Sequence, residues 1–297
     1  MHISDIQIRD PFVIPESGVY YLFGSTDKDI WNSKGYGFDV YMSSSGLEEF
    51  DGPFPAFRPS EHFWSEKNFW APEIHKYCGM YYMFATFLPK KGRRGTAVLK
   101  SGAGIMGPYL PWSVGPVTPP DWECLDGTFF IDDEGKPYMV FCHEWKQAGE
   151  GEIWAMPLSA DLRQTAGESW LLFRASEAPW SAPLKGRTLM NLTDRLCYVT
   201  DGPFMWRTKM GALLLLWSSF GEDGAYRIGI ARSESGTLRG PWKQNDMPLY
   251  AADGGHGMLF HSFDGKLRLA IHSPNGTPNE RAAFIEVVEK NGALVLS

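Results

Sequence analysis

Four carboxylates and one histidine stand at comparable places along the chain: Asp10 in "RDP", Glu73 in "APE", Asp126 in "LDG", Asp201 in "TDG" and His256 in "GGHG". Each opens a short β-prone run beside glycine, proline or another small residue that keeps the backbone turning. A single acid in such a setting is an ordinary turn residue. Five ionisable groups gathered in one enclosed place would lose hydration and repel one another, a cost that is tolerated for chemistry or for a metal. Two chemistries use such a cluster. In hydrolysis of a glycosidic bond with inversion, one carboxylate deprotonates water while a carboxylic acid, roughly 6.5–9.5 Å away across the sugar, protonates the leaving oxygen. A third carboxylate can raise that acid's pKa by like-charge repulsion. The cluster could instead bind a divalent ion through oxygens, although the tight D-x-D-x-D spacing of a calcium loop is missing. His143 and His256 lack the third suitably spaced neighbour of a catalytic zinc site.

These residues become comparable only through a repeat. Five times a glycine turn introduces an aromatic or aliphatic strand: "GVYYLFGST", "GMYYMFATF", "GKPYMVFCHEW", "GALLLLWSSF" and "GKLRLAIHSP". Each is preceded by a strand that completes a hairpin and, in four repeats, followed by a third: "FDVYMSSS", "GTAVLKSG", "EIWAMPLS" and "YRIGIARSESG". Glycine turns and Gly-Pro-aromatic endings then follow in the first, second and fourth repeats. Five antiparallel sheets of three or four strands predict an all-β, five-bladed β-propeller spanning residues 1–297 as a single domain. "AAFIEVVEKNGALVLS" is expected to supply the last two strands, with "HISDIQI" joining that blade to close the ring. The alternatives are an open β-sandwich or two small β domains; a doubly wound α/β fold lacks the intervening amphipathic helices. In a propeller the first strand of each blade lies nearest the axis, so the five ionisable groups would meet at one end of the channel. One segment, Leu158 to Leu196, breaks the rhythm, with Ser159 placed to cap a helical turn and a long polar loop beyond it.

Composition narrows the partners. Aromatics make up 14% of the chain and the formal charge is -7, with no basic run longer than "KKGRR", so nucleic acid is not an expected partner. No segment has the apolar length to span a bilayer, and "MHISDIQIRD" has neither the basic start nor the apolar core of a signal peptide. The chain as written reads as soluble and monomeric, cytoplasmic as it stands and periplasmic or secreted had a leader been removed. Cys78, Cys124, Cys142 and Cys197 are too dispersed for a zinc knuckle and are expected to be free buried thiols, with one disulfide as the alternative.

With "RDP" in the first repeat, "LDGTFFIDDEGKPYMVF" in the third, "DGPF" in the fourth, "WAPEIHKYCGMYYMFAT" in the second and the "GPW" blade ending, the chain resembles glycoside hydrolase family 43 over nearly its whole length. That family comprises five-bladed propeller enzymes, among them arabinofuranosidases, xylosidases and arabinanases. The resemblance implies Asp10 as general base, Asp126 as the carboxylate that tunes the acid, and Asp201 in the general-acid position. It further implies a pentose-containing plant-type polysaccharide or oligosaccharide as substrate, no organic cofactor, and a structural calcium or a water network near His256. One departure stands out: the family acid is Glu in "EGP", whereas this chain has Asp in "DGP". One methylene less shortens the reach by up to ~1.5 Å, and misplacement on that scale can cost roughly a hundredfold in rate. Either Asp201 is brought closer, or Glu144 or Glu177 has taken over the task, or the protein binds glycans without turnover.

Around these acids, Glu73 is expected to bind sugar hydroxyls or backbone, with His75 on the same side of its strand. Trp31, Trp70, Trp145, Trp180 and Phe220 lie beside turns or acids, where a ring can stack on a sugar face. Arg9 and Arg281 could donate to sugar hydroxyls.

Overall fold

The computed structural model describes residues 1–184 and 196–297. Twenty strands form five antiparallel sheets of four, each built from consecutive strands in chain order. Blade 1 holds β1 (Arg9–Glu16), β2 (Val19–Ser25), β3 (Phe38–Ser43) and β4 (Asp51–Phe57). Blade 2 holds β5 (Ser65–Tyr77), β6 (Met80–Pro89), β7 (Gly95–Ser101) and β8 (Tyr109–Pro111). Blade 3 holds β9 (Cys124–Ile131), β10 (Pro137–His143), β11 (Glu152–Pro157) and β12 (Trp170–Arg174). Blade 4 holds β13 (Asp201–Arg207), β14 (Leu213–Phe220), β15 (Tyr226–Ser233) and β16 (Trp242–Gln244). Blade 5 holds β17 (Gly255–His261), β18 (Leu267–Ser273), β19 (Arg281–Lys290) and β20 (Ala293–Leu296). The expected five-bladed propeller is the fold.

The tightest hairpins turn on residue pairs with positive φ, Ser17-Gly18, Cys78-Gly79 and Asn291-Gly292, as two-residue loops between right-twisted strands require. Longer turns recruit a side chain: Asp132 Oδ1 accepts from the N–H groups of Glu134 and Lys136 at 3.0 and 2.9 Å. Between sheets the aromatic content is buried. Phe38, Phe57, Phe63, Phe69 and Phe87 interlock between blades 1 and 2. Phe12 and Tyr20 of blade 1 share a core with Met258, Phe260 and Ala270 of blade 5, which closes the ring by packing. In the axial channel, the His75 ring lies 5.2 Å from Phe12 and 5.5 Å from Phe129, so aromatic rings plug it below one mouth.

Four expectations need correction. "HISDIQI" adds no strand to the last blade: both outer positions are filled by β19 and β20, and residues Ile3–Asp5 form a single 3-10 turn while His2 bridges to Glu49 in blade 1. Ser159 caps no helix, because Leu162, at φ 63°, reverses the chain and its N–H closes a tight turn on the Ser159 carbonyl at 2.8 Å. Cys124 and Cys142 are free and buried, but Cys78 is exposed, since it occupies a hairpin tip. Trp180 is buried against Trp217 with ring centroids 4.6 Å apart, in space left by the missing side chain of Gly229, and so is no sugar platform. Residues 185–195 of the long polar loop lie outside the described residues.

Candidate active site

Every first strand carries an irregularity near its start, where the pairing register slips at Arg9/Phe12, Trp70/Glu73, Asp201/Phe204 and Gly255/Met258, and opposite Val140/Cys142 in blade 3. At the slip one residue takes left-handed φ: Asp10 (53°), Ala71 (46°), Asp126 (54°), Gly202 (51°) and His256 (52°). Such a bulge re-aims the side chains beside it, here at the axis. The true register therefore differs from the glycine-turn alignment at two blades, where Ala71 and Gly202 are level with Asp10, Asp126 and His256. Asp201 sits one residue earlier, in the layer of Arg9, Trp70 and Leu125, all of which line the cavity wall. Glu73 sits two residues later, level with Phe12, below the cavity; its Oε2 meets His75 Nε2 at 2.8 Å, and it does not line the substrate space.

The result is a floor and a wall. Asp10, Asp126 and His256 are all buried at the floor of a cavity of about 920 Å³, within the usual range for small-molecule sites. Asp10 Oδ2 accepts from the Ser25 hydroxyl at 2.6 Å, and its Oδ1 lies 3.1 Å from His256 Nδ1. The Asp10 N–H donates to His272 Nδ1 at 3.2 Å while His272 Nε2 faces Asn275 Oδ1 at 3.1 Å, which fixes His272 as a neutral ring. Burial and the neighbouring Arg9 push the His272 pKa down to about 3. Asp126 Oδ2 accepts from the Gly202 N–H at 3.1 Å and lies 3.7 Å from His256 Nδ1. Asp201 Oδ2 accepts from the Tyr226 hydroxyl at 2.9 Å.

These partners push the carboxyls apart in pKa. Burial alone would raise Asp10, but the charges of His256 and Arg9, with the Ser25 hydroxyl, more than offset it and hold Asp10 below the ordinary carboxylate range. Asp126 is raised, first by burial and then by repulsion from Asp201 and Asp10, against the pull of His256 and the Gly202 N–H. Asp201 is raised by burial, with Glu144 and Asp10 adding to it and His256 and Tyr226 opposing. His256 is raised despite its burial, because Asp10, Asp126, Glu73 and Asp201 all favour its charged form.

Glu144 lines the cavity from the end of β10. It is buried, and its two oxygens meet Arg94 Nη1 at 2.7 Å and Lys146 Nζ at 3.2 Å. Trp145 and Lys146, in the short helix α1 (Trp145–Ala148), also line it. Glu177 does not: it is exposed and accepts from the Arg174 N–H at 2.9 Å, so its carboxylate caps a local turn. Trp31 and Trp70 meet edge to face at 5.3 Å on one side of the mouth, backed by Arg9 and Arg94, and Phe220 lines the cavity from the end of β14. Arg9 is held by Glu280 Oε1 and Asn275 Oδ1, both at 2.7 Å, whereas Arg281 donates to the Ser4 carbonyl outside the cavity.

Tyr226, Asn275, Thr277 and Arg94 escape sequence reasoning. Tyr226 opens a third strand, which an axial alignment does not inspect; Asn275 and Thr277 lie in "SPNGTP", whose Gly/Pro/Asn content marks a loop at the channel mouth. Among the described residues no group of three His, Cys, Asp or Glu side chains is placed to hold a metal ion.

Five four-stranded blades around a floor of opposed carboxyls define a propeller with an acid–base cavity. Residues 3–292 match the model of glycosyl hydrolases family 43, and the chain belongs to that family. An endo-arabinase of Bacteroides thetaiotaomicron superimposes with a TM-score of 0.89 at 37% identity, covering 98% of each chain. Two proteins of Humicola insolens are similar in sequence: a xylosidase/arabinosidase 43A, 23% identical across 74% of this chain and 64% of its own length, and an alpha-L-arabinofuranosidase 43, 21% identical across 91% and 55%. The chain thus spans between about half and two thirds of the curated relatives it matches.

Proposed function

We propose that this protein hydrolyses glycosidic bonds by single displacement with inversion, acting on arabinose- or xylose-containing oligosaccharides or polysaccharides. The reading rests on one observation: around a sugar-sized cavity, Asp10 is held ionised while Asp201 and Asp126 are pushed towards the protonated state. That division is what general base and general acid require. Asp10 takes a proton from water as its oxygen attacks the anomeric carbon. Asp201 gives its proton to the departing glycosidic oxygen as the C–O bond breaks. Solvent then returns a proton to Asp201 and removes one from Asp10.

The register of the bulge supports Asp201 as the residue that reaches the glycosidic oxygen. Asp201 starts from the cavity wall, one residue nearer the mouth than Asp10 and Asp126, and Tyr226 fixes the direction of its carboxyl. Glu144 is engaged elsewhere, because its two oxygens are held by Arg94 and Lys146. In this reading the Glu144 charge helps to keep Asp201 protonated. The pentose class rests on the activities for which the relatives and the endo-arabinase are named. The cavity is built within one ring of blades, so a single chain is taken as the working unit.

Aryl α-L-arabinofuranosides, aryl β-D-xylosides and arabino-oligosaccharides, followed with D10N, D201N, E144Q and E177Q variants, test this. D10N is expected to lose about 10²–10⁴-fold in kcat, E177Q to match the wild type, and ¹H NMR to show the inverted anomer first. A retained anomer, or full activity of D10N, would remove the single-displacement reading. Glycan binding with no turnover on any substrate would favour a binding propeller.

A further inference from the structure

Neighbouring blades repeat one hydrogen bond, and a single junction departs from it. Opposite the residue that precedes each bulge, the second strand carries Ser25, Thr86, Cys142, Ser218 or His272. At four junctions that side chain accepts the N–H of the bulged residue in the next blade. Ser25 Oγ accepts from Ala71 at 2.8 Å, Thr86 Oγ1 from Asp126 at 2.8 Å, Ser218 Oγ from His256 at 2.9 Å and His272 Nδ1 from Asp10 at 3.2 Å. The fifth position is Cys142, and a thiol is a weak acceptor. At that junction the Gly202 N–H donates to Asp126 Oδ2 instead.

We propose that Cys142 is a positioning residue: by not competing for the Gly202 N–H it leaves that donor to Asp126, tying this carboxylate to the strand that carries Asp201. The two floor acids are consequently held in different ways. Asp10 is gripped by the hydroxyl of Ser25 on its own blade, while Ser25 also receives the neighbour's N–H. Asp126 is gripped by the neighbour's backbone, one peptide from Asp201, so the spacing of the two carboxyls is set by the main chain. Hydroxyl chemistry at position 142 would recreate the Ser25 arrangement and release Asp126 from blade 4. Cys142 itself is fully buried, and burial beside Asp126 and Asp201 pushes its thiol up, so it acts as a neutral group.

This inference rests on Asp126 being the carboxylate that tunes the acid, and the test separates the two. Kinetics on an arabino-oligosaccharide are compared for C142S, C142A and D126N, and the Gly202 amide is followed through a pH titration by ¹H–¹⁵N NMR. C142A offers no acceptor and C142S does, so kcat of C142S is expected to fall at least about tenfold below that of C142A, in line with loss of a hydrogen bond to a charged group, with KM little different between them. The Gly202 amide should follow the titration of Asp126 in the wild type and C142A, and not in C142S. A packing role alone reverses the ranking, because serine nearly matches cysteine in shape while alanine leaves a void; C142S equal to or better than C142A overturns the proposal. So does a Gly202 amide that titrates unchanged in C142S. D126N with wild-type activity would instead overturn the assignment of Asp126, whereas an impaired D126N with C142S matching C142A leaves that assignment standing and removes only the role of Cys142.

Discussion

Asp201 shows how little a residue type says until its register is known. In sequence it is a turn acid shortened by one methylene from the family's glutamate; in the fold it is a wall residue beside Tyr226 and within the field of Glu144. Those two neighbours act on it in opposite senses. Removing the Glu144 charge lowers the Asp201 pKa, so in E144Q the alkaline limb of the kcat/KM profile should move to lower pH. Removing the Tyr226 hydroxyl takes away a donor that favours the ionised form, so in Y226F the same limb should move to higher pH while kcat falls by about tenfold or more from lost positioning. Limbs moving in the same direction in both variants would show that Asp201 does not set the profile. Gly202 is equally constrained: its φ is 51° and a Cβ there would come within 2.7 Å of the His256 ring. G202A is expected to lose at least about 1–3 kcal/mol of stability together with most activity, readable in a thermal melt and an assay.

At the scale of strands and loops, the hairpins were legible and their bulges were not. Aromatic and aliphatic runs between glycine turns mark each second strand, because a pleated, half-buried surface selects those residues. They do not mark where the first strand slips. β5 runs for 13 residues with three irregularities in its pairing, so an alignment on glycine turns puts Glu73 level with the floor acids when Ala71 holds that place. Glu177 and Trp180 misled for a related reason: a loop residue's direction depends on neighbours far away in sequence, here Gly229, whose missing side chain admits the Trp180 ring between blades. Trp180→Ala should therefore cost about 3–5 kcal/mol in stability and leave KM for oligosaccharides unchanged at temperatures where the variant is folded. A selective rise in KM with unaltered stability would return Trp180 to the sugar-binding surface.

Across the whole molecule, the ring was readable from its fivefold repeat, whereas its closure was not, since no composition signal distinguishes an exchanged strand from a packed joint. The same ring forces buried charges together, and stability should record it. Asp126 and Asp201 have folded pKa values above the unfolded value of about 3.9, so the folded state binds more protons and loses stability as pH rises from there to their raised values. His256, raised above about 6.5, contributes stability below that pH and loses it as pH climbs through its folded value. Asp10, depressed, contributes at all pH values above the ordinary carboxylate range and fails only as pH falls through its lowered value. His272, whose folded pKa is pushed down to about 3, works the other way and adds stability as pH rises to about 6.5. Tm should accordingly decline from about pH 6.5 towards pH 8, and D201N should melt above the wild type at pH 8. A Tm that rises across that interval would contradict this balance of charges.

The assignment of Asp201 as acid is tested most directly by leaving-group dependence. Measured as kcat/KM on an arabino-oligosaccharide and on a nitrophenyl glycoside of the same sugar, D201N should lose about a hundredfold or more on the first and far less on the second, whose departing oxygen needs no proton. Equal losses on both substrates, or wild-type activity of D201N on the oligosaccharide, would contradict it.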